Sequence, residues 1–166
     1  MLVRKEYPAD IAAIRALVTG SFPSPAEAEL VDALRAAGRL SISLVAVDDG
    51  EVIGHVGFSP VTVDGATLGL GLAPVAVRED RRRRGVAERL VRDGLELCRN
   101  AAIGLVVVLG DPRYLTRFGF EPARRLELTG AHHWGDAFQA VQLIIGTIPP
   151  GGGLVRYSPE FEGLGA

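Results

Sequence analysis

Apolar residues recur along this chain with two periods, and each change of period marks a change of element. From Pro8 to Val18 they fall at Ile11, Ile14, Leu17 and Val18, a helical stripe, with Asp10 placed where a first-turn acid favours the helix dipole. Pro25 to Ala37 repeats the pattern through Leu30, Val31 and Leu34, after a Ser24-Pro25 start and before Gly38. Two short helices after one N-terminal strand are expected. Ile42 to Val47 and Val52 to Phe58 are β-rich runs separated by Asp48-Asp49-Gly50-Glu51, a hairpin loop by composition. Asp64-Gly65 marks a second turn, leading into Thr67 to Val77, an apolar run that Gly69, Gly71 and Pro74 interrupt. A bulged strand is the expectation there.

At Arg82 the period turns helical, with Ala87, Leu90, Val91, Gly94 and Cys98 on one face and Arg83, Glu88, Arg92 and Glu96 left for solvent. Ile103 to Leu109 is an unbroken aliphatic run, the mark of a strand covered on both faces. Strand, helix and strand in this order predict a right-handed βαβ crossover. Asp111-Pro112 starts a further short helix ending near Gly119, a strand reads through Leu126 to Leu128, and Ala140 to Ile145 reads as the final strand. Pro149 to Gly153 then breaks regular structure before a short tail. With no internal repeat and no linker, residues 1–166 read as a single α/β domain, α+β in the sense of a mixed sheet.

Composition narrows the function classes. A chain of 166 residues can bury a core without staples, and 48% hydrophobic with 23% charged residues is globular composition. No stretch reaches the roughly 18 apolar residues of a membrane span, and Met1 to Glu6 has no apolar segment behind its basic pair, so a cytoplasmic protein without membrane contact is expected. One cysteine, Cys98, excludes an internal disulfide. Its place on the apolar helix face favours a buried inert thiol over a nucleophile. His132 and His133 are adjacent and point to opposite sides if extended, so no metal site is expected. A net charge of −2 gives the molecule no general attraction for polyanions, and any anion site must be local.

One segment supplies such a site. Pro74 to Ala87 joins a strand end to a helix through a basic turn with a small-residue finish. The first N–H groups of a helix have no intrahelical acceptor and the dipole is positive there, so a phosphate is held by geometry and field together. Gly85 and Ala87 keep side chains out of its path. The Arg81 to Arg84 run also reads as a solvated helix start or as a nucleic-acid patch, but the net charge and the absence of interleaved aromatics put phosphate first and nucleic acid last.

Arg82-Arg83-Arg84-Gly85-Val86-Ala87, between a Val-Ala-Val strand end and an amphipathic helix, resembles the signature of the GCN5-related N-acetyltransferase (GNAT) superfamily: Arg or Gln, two residues, Gly, one residue, Gly or Ala. Gly54 to Val61, Val108 to Pro112 and Arg117 to Pro122 look like its YhbS-like branch, and the likeness covers roughly residues 1 to 160. It implies the acyl-CoA N-acyltransferase fold with splayed central parallel strands and acetyl-CoA as co-substrate. By that resemblance Arg82, Arg83, Arg84, Gly85, Val86 and Ala87 hold the pyrophosphate, and Val75, Ala76 and Val77 pair with the pantetheine. Ala76 is the backbone donor to the thioester oxygen. The implied reaction is direct attack by a small-molecule or peptide amine in a ternary complex, and a homodimer is compatible with the family. The family's proton-donating tyrosine stands four residues before the Gly-Phe pair, where this sequence has Leu115. Tyr114 lies one residue earlier, about 100° round a helix, and its catalytic reading stands level with simple packing near Phe118 or Phe120. The strand from Thr67 to Val77 holds no Glu, Asp or His, which leaves Glu27, Glu29, Asp32 and His55 as candidate amine contacts, or loss of the amine's proton through water. His55 equally reads as a hydrogen-bonded core residue, and Trp134 either covers the acceptor pocket or anchors its loop. Leu115 at the donor position motivates the alternative, a non-catalytic acyl-CoA-binding or regulatory domain.

Overall fold

The structure, a computed structural model, describes residues 1–164. Among them, four α-helices and nine strands make a mixed α+β fold. The chain resolves into two compact units, Met1–Phe58 with Ala73–Leu95, and Ser59–Leu72 with Glu96 onward.

In the first unit, β1 (Leu2–Lys5) and β3 (Glu51–Val63) flank β2 (Ile42–Asp48), both antiparallel to it, from Leu2↔Val47 and from Ile42↔Phe58. A bulge lies between Ala46 and Val47. Helices α1 (Ile11–Ser21) and α2 (Ala26–Ala36) bury the stripes that the sequence pattern assigns them: Ile14, Val18, Ala28 and Val31 pack with Val45 and Ala76. Each of the isoleucine and valine side chains, fully buried, contributes about 1.5–3 kcal/mol. Helix α3 (Val86–Asn100) sits close on β3. A Cβ on Gly54 would stand 2.9 Å from Val86 Cγ1, and one on Gly94 2.4 Å from Phe58 Cε1, so glycine at both positions permits this approach.

A two-residue turn at Asp64 and Gly65, both at positive φ, closes Val63 against Ala66, the first residue of β4 (Ala66–Val77). At the far end of the same hairpin Arg78 N–H donates to the Ile53 carbonyl at 2.8 Å. Ten residue steps from Ile53 to Val63 thus face twelve from Ala66 to Arg78, so β4 carries two extra residues, the bulge expected around Gly69 to Pro74.

In the second unit β4 pairs in parallel with β5 (Leu105–Leu109) at Leu70↔Val106 and Gly71↔Val107. A Cβ on Gly69 would come within 2.4 Å of the Leu105 carbonyl oxygen. Beyond β5 follow α4 (Pro112–Leu115), β6 (Glu121–Pro122), β7 (Leu128–Gly130), β8 (Phe138–Gln142) and β9 (Gly153–Tyr157). Strand β8 is antiparallel to β5 and to β6, while β9 pairs antiparallel with β3 and parallel with β7. Val61, Val63, Leu105, Val107, Leu128, Phe138 and Val155 form its core.

Four expectations shift. Helix α3 starts at Val86, not Arg82, because Arg83 and Gly85 adopt positive φ. The strand placed at Leu126 begins at Leu128, since Ala123–Leu126 is a 3-10 turn closed by Glu127 at φ 61. The apolar run to Ile145 leaves the sheet after Gln142, where the N–H groups of Leu143 and Ile144 both turn onto the Gly104 carbonyl, and Ile145 is 95% exposed. The tail after the Pro-Gly stretch is itself a strand, β9.

Candidate functional site

Strand β4 ends at Val77, and a 3-10 turn at Glu79–Arg81 reverses the chain into the α3 start. Arg81 N–H returns to Arg78 C=O at 2.9 Å and Arg82 N–H to Glu79 C=O at 3.4 Å. Arg82 is then extended (φ −71, ψ 158), Arg83 left-handed (φ 63) and Gly85 left-handed (φ 78). An extended residue followed by a left-handed one has the dihedrals of a type II turn, which reverses the chain just ahead of the α3 start. Arg89 N–H donates to Gly85 C=O at 3.0 Å, the first intrahelical bond, so Gly85 is the N-cap and offers no side chain to the free amides. Among the described residues, no acceptor takes the N–H groups of residues 83–87. A Cβ on Gly85 would meet nothing within 4 Å, so open space adjoins the helix start at that residue.

The four arginines divide. Arg81 is ion-paired with Asp48, and Arg82 Nε donates to the Val77 carbonyl at 3.0 Å, tying the turn to the end of β4. Arg83 and Arg84 are exposed and have no partner among the described residues. Neighbouring Arg78 is held by Asp80 at 2.7 Å and Glu51 at 2.8 Å. Unpaired positive charge at the turn is therefore concentrated on Arg83 and Arg84.

The backbone of Val75, Ala76 and Val77 can be oriented from the ladder. The Arg78–Ile53 bond sets these two residues opposite each other, and a Cβ on Gly57 would lie 3.6 Å from Pro74 Cδ, which keeps the same register. Stepping two residues from Arg78 puts Ala76 opposite His55, so the N–H and C=O of Ala76 turn toward β3 and those of Val75 and Val77 turn away. The Ala76 methyl is core, packed with Val45.

His55 is completely buried, and its Nε2 lies 2.8 Å from Ser43 Oγ. Ser43 Oγ–H is given to Glu6 Oε1, so the same oxygen accepts from His55 Nε2–H and the tautomer is fixed, with Nδ1 bare and unpartnered. Glu6 in turn receives both arms of Arg35 at 2.9 Å. Burial pushes the His55 imidazole down to about 4 against the pull of Glu6, so it is neutral over the ordinary range. Burial would raise the Glu6 carboxyl, but Arg35 and Ser43 outweigh it and hold it below the usual value. His55 is therefore a hydrogen-bonded core residue, out of reach of an acceptor. Asp32 is engaged by Arg15 and Arg35, at 2.8 and 3.3 Å; Glu29 is exposed, and Glu27 keeps one buried carboxylate oxygen without a partner.

In the second unit, Tyr114 stands in α4, whose N-cap Asp111 accepts from Arg113 N–H at 2.9 Å. The Tyr114 ring meets Phe118 edge-on at 5.5 Å, and the Arg117 guanidinium lies 4.2 Å above it. Leu115 is buried at 5% exposure. Trp134 packs on Phe138 at 4.9 Å and stacks on Tyr157 at 5.9 Å. Cys98 is fully buried, and burial pushes its thiol up to about 11, which leaves an inert side chain. Among the described residues no helix is long and apolar enough to cross a membrane.

An extended strand, a turn with two left-handed residues and an uncapped helix start make a site suited to an anion in a mixed α/β fold. The model of the acetyltransferase (GNAT) family matches residues 11–120, and the chain belongs to that family. It is 44% identical over 172 residues to an uncharacterized N-acetyltransferase, YhbS, of Escherichia coli (strain K12), covering 98% of this chain and 99% of the relative. A crystal structure of YhbS from Escherichia coli in complex with CoA superposes with a TM-score of 0.92 over 96% of this chain and 91% of that one. A GNAT family acetyltransferase from Brucella melitensis, in complex with acetyl-CoA, is 37% identical with a TM-score of 0.83, each chain 97% covered.

Proposed function

We propose that this protein transfers an acetyl group from acetyl-CoA to an amine by direct attack in a ternary complex. The observation that carries the reading is the row of unspent N–H groups at residues 83–87, beside open space at the start of α3. A diphosphate satisfies them, with Arg83 and Arg84 adding charge and Arg82 acting through its bond to Val77 as a clamp on the turn. The relatives crystallised with CoA and acetyl-CoA support this choice of anion.

Bound acetyl-CoA supplies an activated thioester. Val75 and Val77, whose amides turn away from β3, pair with the pantetheine arm and offer N–H groups to the thioester oxygen as charge builds on it. Ala76 gives its own groups to the ladder and holds that strand straight. A thiol of pKa about 8.5 is a fair leaving group, so the reaction depends on position more than on an acid. The unpaired, buried Cys98 fits a reducing compartment such as the cytoplasm. The two units, sharing β3, β4 and α3 along the chain, act as one domain.

Two measurements test the proposal. Calorimetric titration with CoA should show binding that Arg82→Glu and Gly85→Asp each abolish without unfolding, and unchanged affinity would reject the cradle. Release of free thiol from acetyl-CoA in the presence of an amine library separates an enzyme from a protein that only binds CoA, which releases none.

A further inference from the structure

We propose that the cavity beyond the ends of β7 and β9 binds a small zwitterion carrying a carboxylate and an amine a few bonds apart, as an α-amino acid does. Strands β7 and β9 run parallel, from Leu128↔Gly153 to Gly130↔Val155, so their carboxyl ends open on the same side. Space outside the carboxyl ends of parallel strands is where α/β sheets leave room for ligands. Here it measures about 460 Å³ and is lined by His132, Arg156, Tyr157, Ser158 and Glu162 among others. That volume suits a small molecule.

Its charges are opposite in sign and uncommitted. Among the described residues, no carboxylate pairs with the Arg156 guanidinium and no cation with the Glu162 carboxylate, although both line one cavity. A ligand that bridges them gives its carboxylate to the two-pronged guanidinium and its ammonium to Glu162. Two residues of the lining, Tyr157 and Ser158, also carry buried hydroxyls with no hydrogen-bond partner. The Tyr157 ring is fixed between Trp134 and Phe161, at 5.9 and 4.9 Å. It also lies against β4, where a Cβ on Gly71 would stand 3.2 Å from it. That the ligand's amine is the acceptor rests on the acetyltransferase reading; that the cavity binds a zwitterion does not.

The test is calorimetry of the full chain with each of the common α-amino acids at millimolar concentration, followed by the amide and the deaminated acid of the best binder. At least one amino acid should bind, and its amide and its deaminated acid should each bind about 10-fold more weakly or worse. Arg156→Gln should erase the preference over the amide and Glu162→Gln the preference over the deaminated acid; both residues are exposed, so the fold is not at stake. The absence of binding by every amino acid, or equal affinity for all three analogues, overturns the proposal. A parallel CoA titration separates the two readings. Amino-acid binding without CoA binding leaves the cavity standing and removes the transferase, and the converse removes the cavity alone.

Discussion

Two polar clusters in the first unit treat their hydrogen bonds in opposite ways. From Arg35 through Glu6 and Ser43 to His55, one chain of groups is buried or half-buried and nearly every donor is spent. At residues 83–87 the backbone donors are unspent, and Arg83, Arg84 and Gly85 are exposed. An orphan amide deep in a core costs far more than one at an open helix end, where water can stand in until a ligand arrives. Saturation thus marks the cluster that holds the fold, and unspent capacity the cluster that binds. If so, changes at the first should move stability and leave CoA affinity alone, and changes at the second should chiefly move CoA affinity.

The largest effect is expected at Gly85. An aspartate there brings a carboxylate to the anion's place and a Cβ to φ 78, so CoA affinity should fall about 1,000-fold or more, roughly 4 kcal/mol, in calorimetry. Gly85→Ala keeps the strain without the charge and should lose much less, since its Cβ meets nothing within 4 Å. Equal losses would assign the effect to backbone conformation rather than to the anion. Both variants should stay folded, with urea midpoints lowered alike by the about 1–2 kcal/mol that a left-handed residue bearing a Cβ costs.

A pH titration of stability probes the other cluster. The folded protein holds the His55 imidazole at about 4 against an ordinary 6.5, so between those values the unfolded chain binds more protons and stability falls as pH drops. The full window is worth about 3 kcal/mol at most, and the depressed Glu6 carboxyl adds to the loss below its own ordinary value. Urea midpoints measured from about pH 7 down to about pH 4 should show this slope, and His55→Gln should flatten it. A slope unchanged in that variant would mean that His55 is not the titrating group. Ser43→Ala, which strands the donor of His55 and one acceptor site of Glu6, should cost about 1–3 kcal/mol with CoA affinity intact.

The candidate binding cluster was legible in the sequence and the structural one was not, for a physical reason. Arg82 to Ala87 are consecutive, and a strand end, a turn and a helix start are local events that periodicity and small residues announce. Glu6, Arg35, Ser43 and His55 meet only through the β1–β2–β3 pairing and the seating of α2, so nothing in their spacing joins them. The same contrast runs through the fold. Helices α1, α2 and α3 and the bulge in β4 follow from stripes, glycines and Pro74, while β9 escaped because five residues behind a Pro-Gly break look like a tail until β3 and β7 flank them. Ala76 shows a further limit. Its choice as oxyanion donor came from resemblance, whereas which amides face outward depends on a register that only the Arg78–Ile53 bond reveals.

The smallest effect is expected at Tyr114. A proton donor needs a hydroxyl presented to the leaving thiolate, but this ring is engaged edge-on by Phe118 at 5.5 Å and capped by Arg117 at 4.2 Å, contacts that phenylalanine reproduces. The position the family gives to its tyrosine is occupied by Leu115, which is buried and cannot donate at all. With a thiol as leaving group the acid is dispensable, so Tyr114→Phe should lower the rate of thiol release well short of the roughly 100-fold to 10,000-fold that a lost acid or base costs. A loss within that range, with CoA affinity and urea midpoint unchanged, would instead make the Tyr114 hydroxyl the acid.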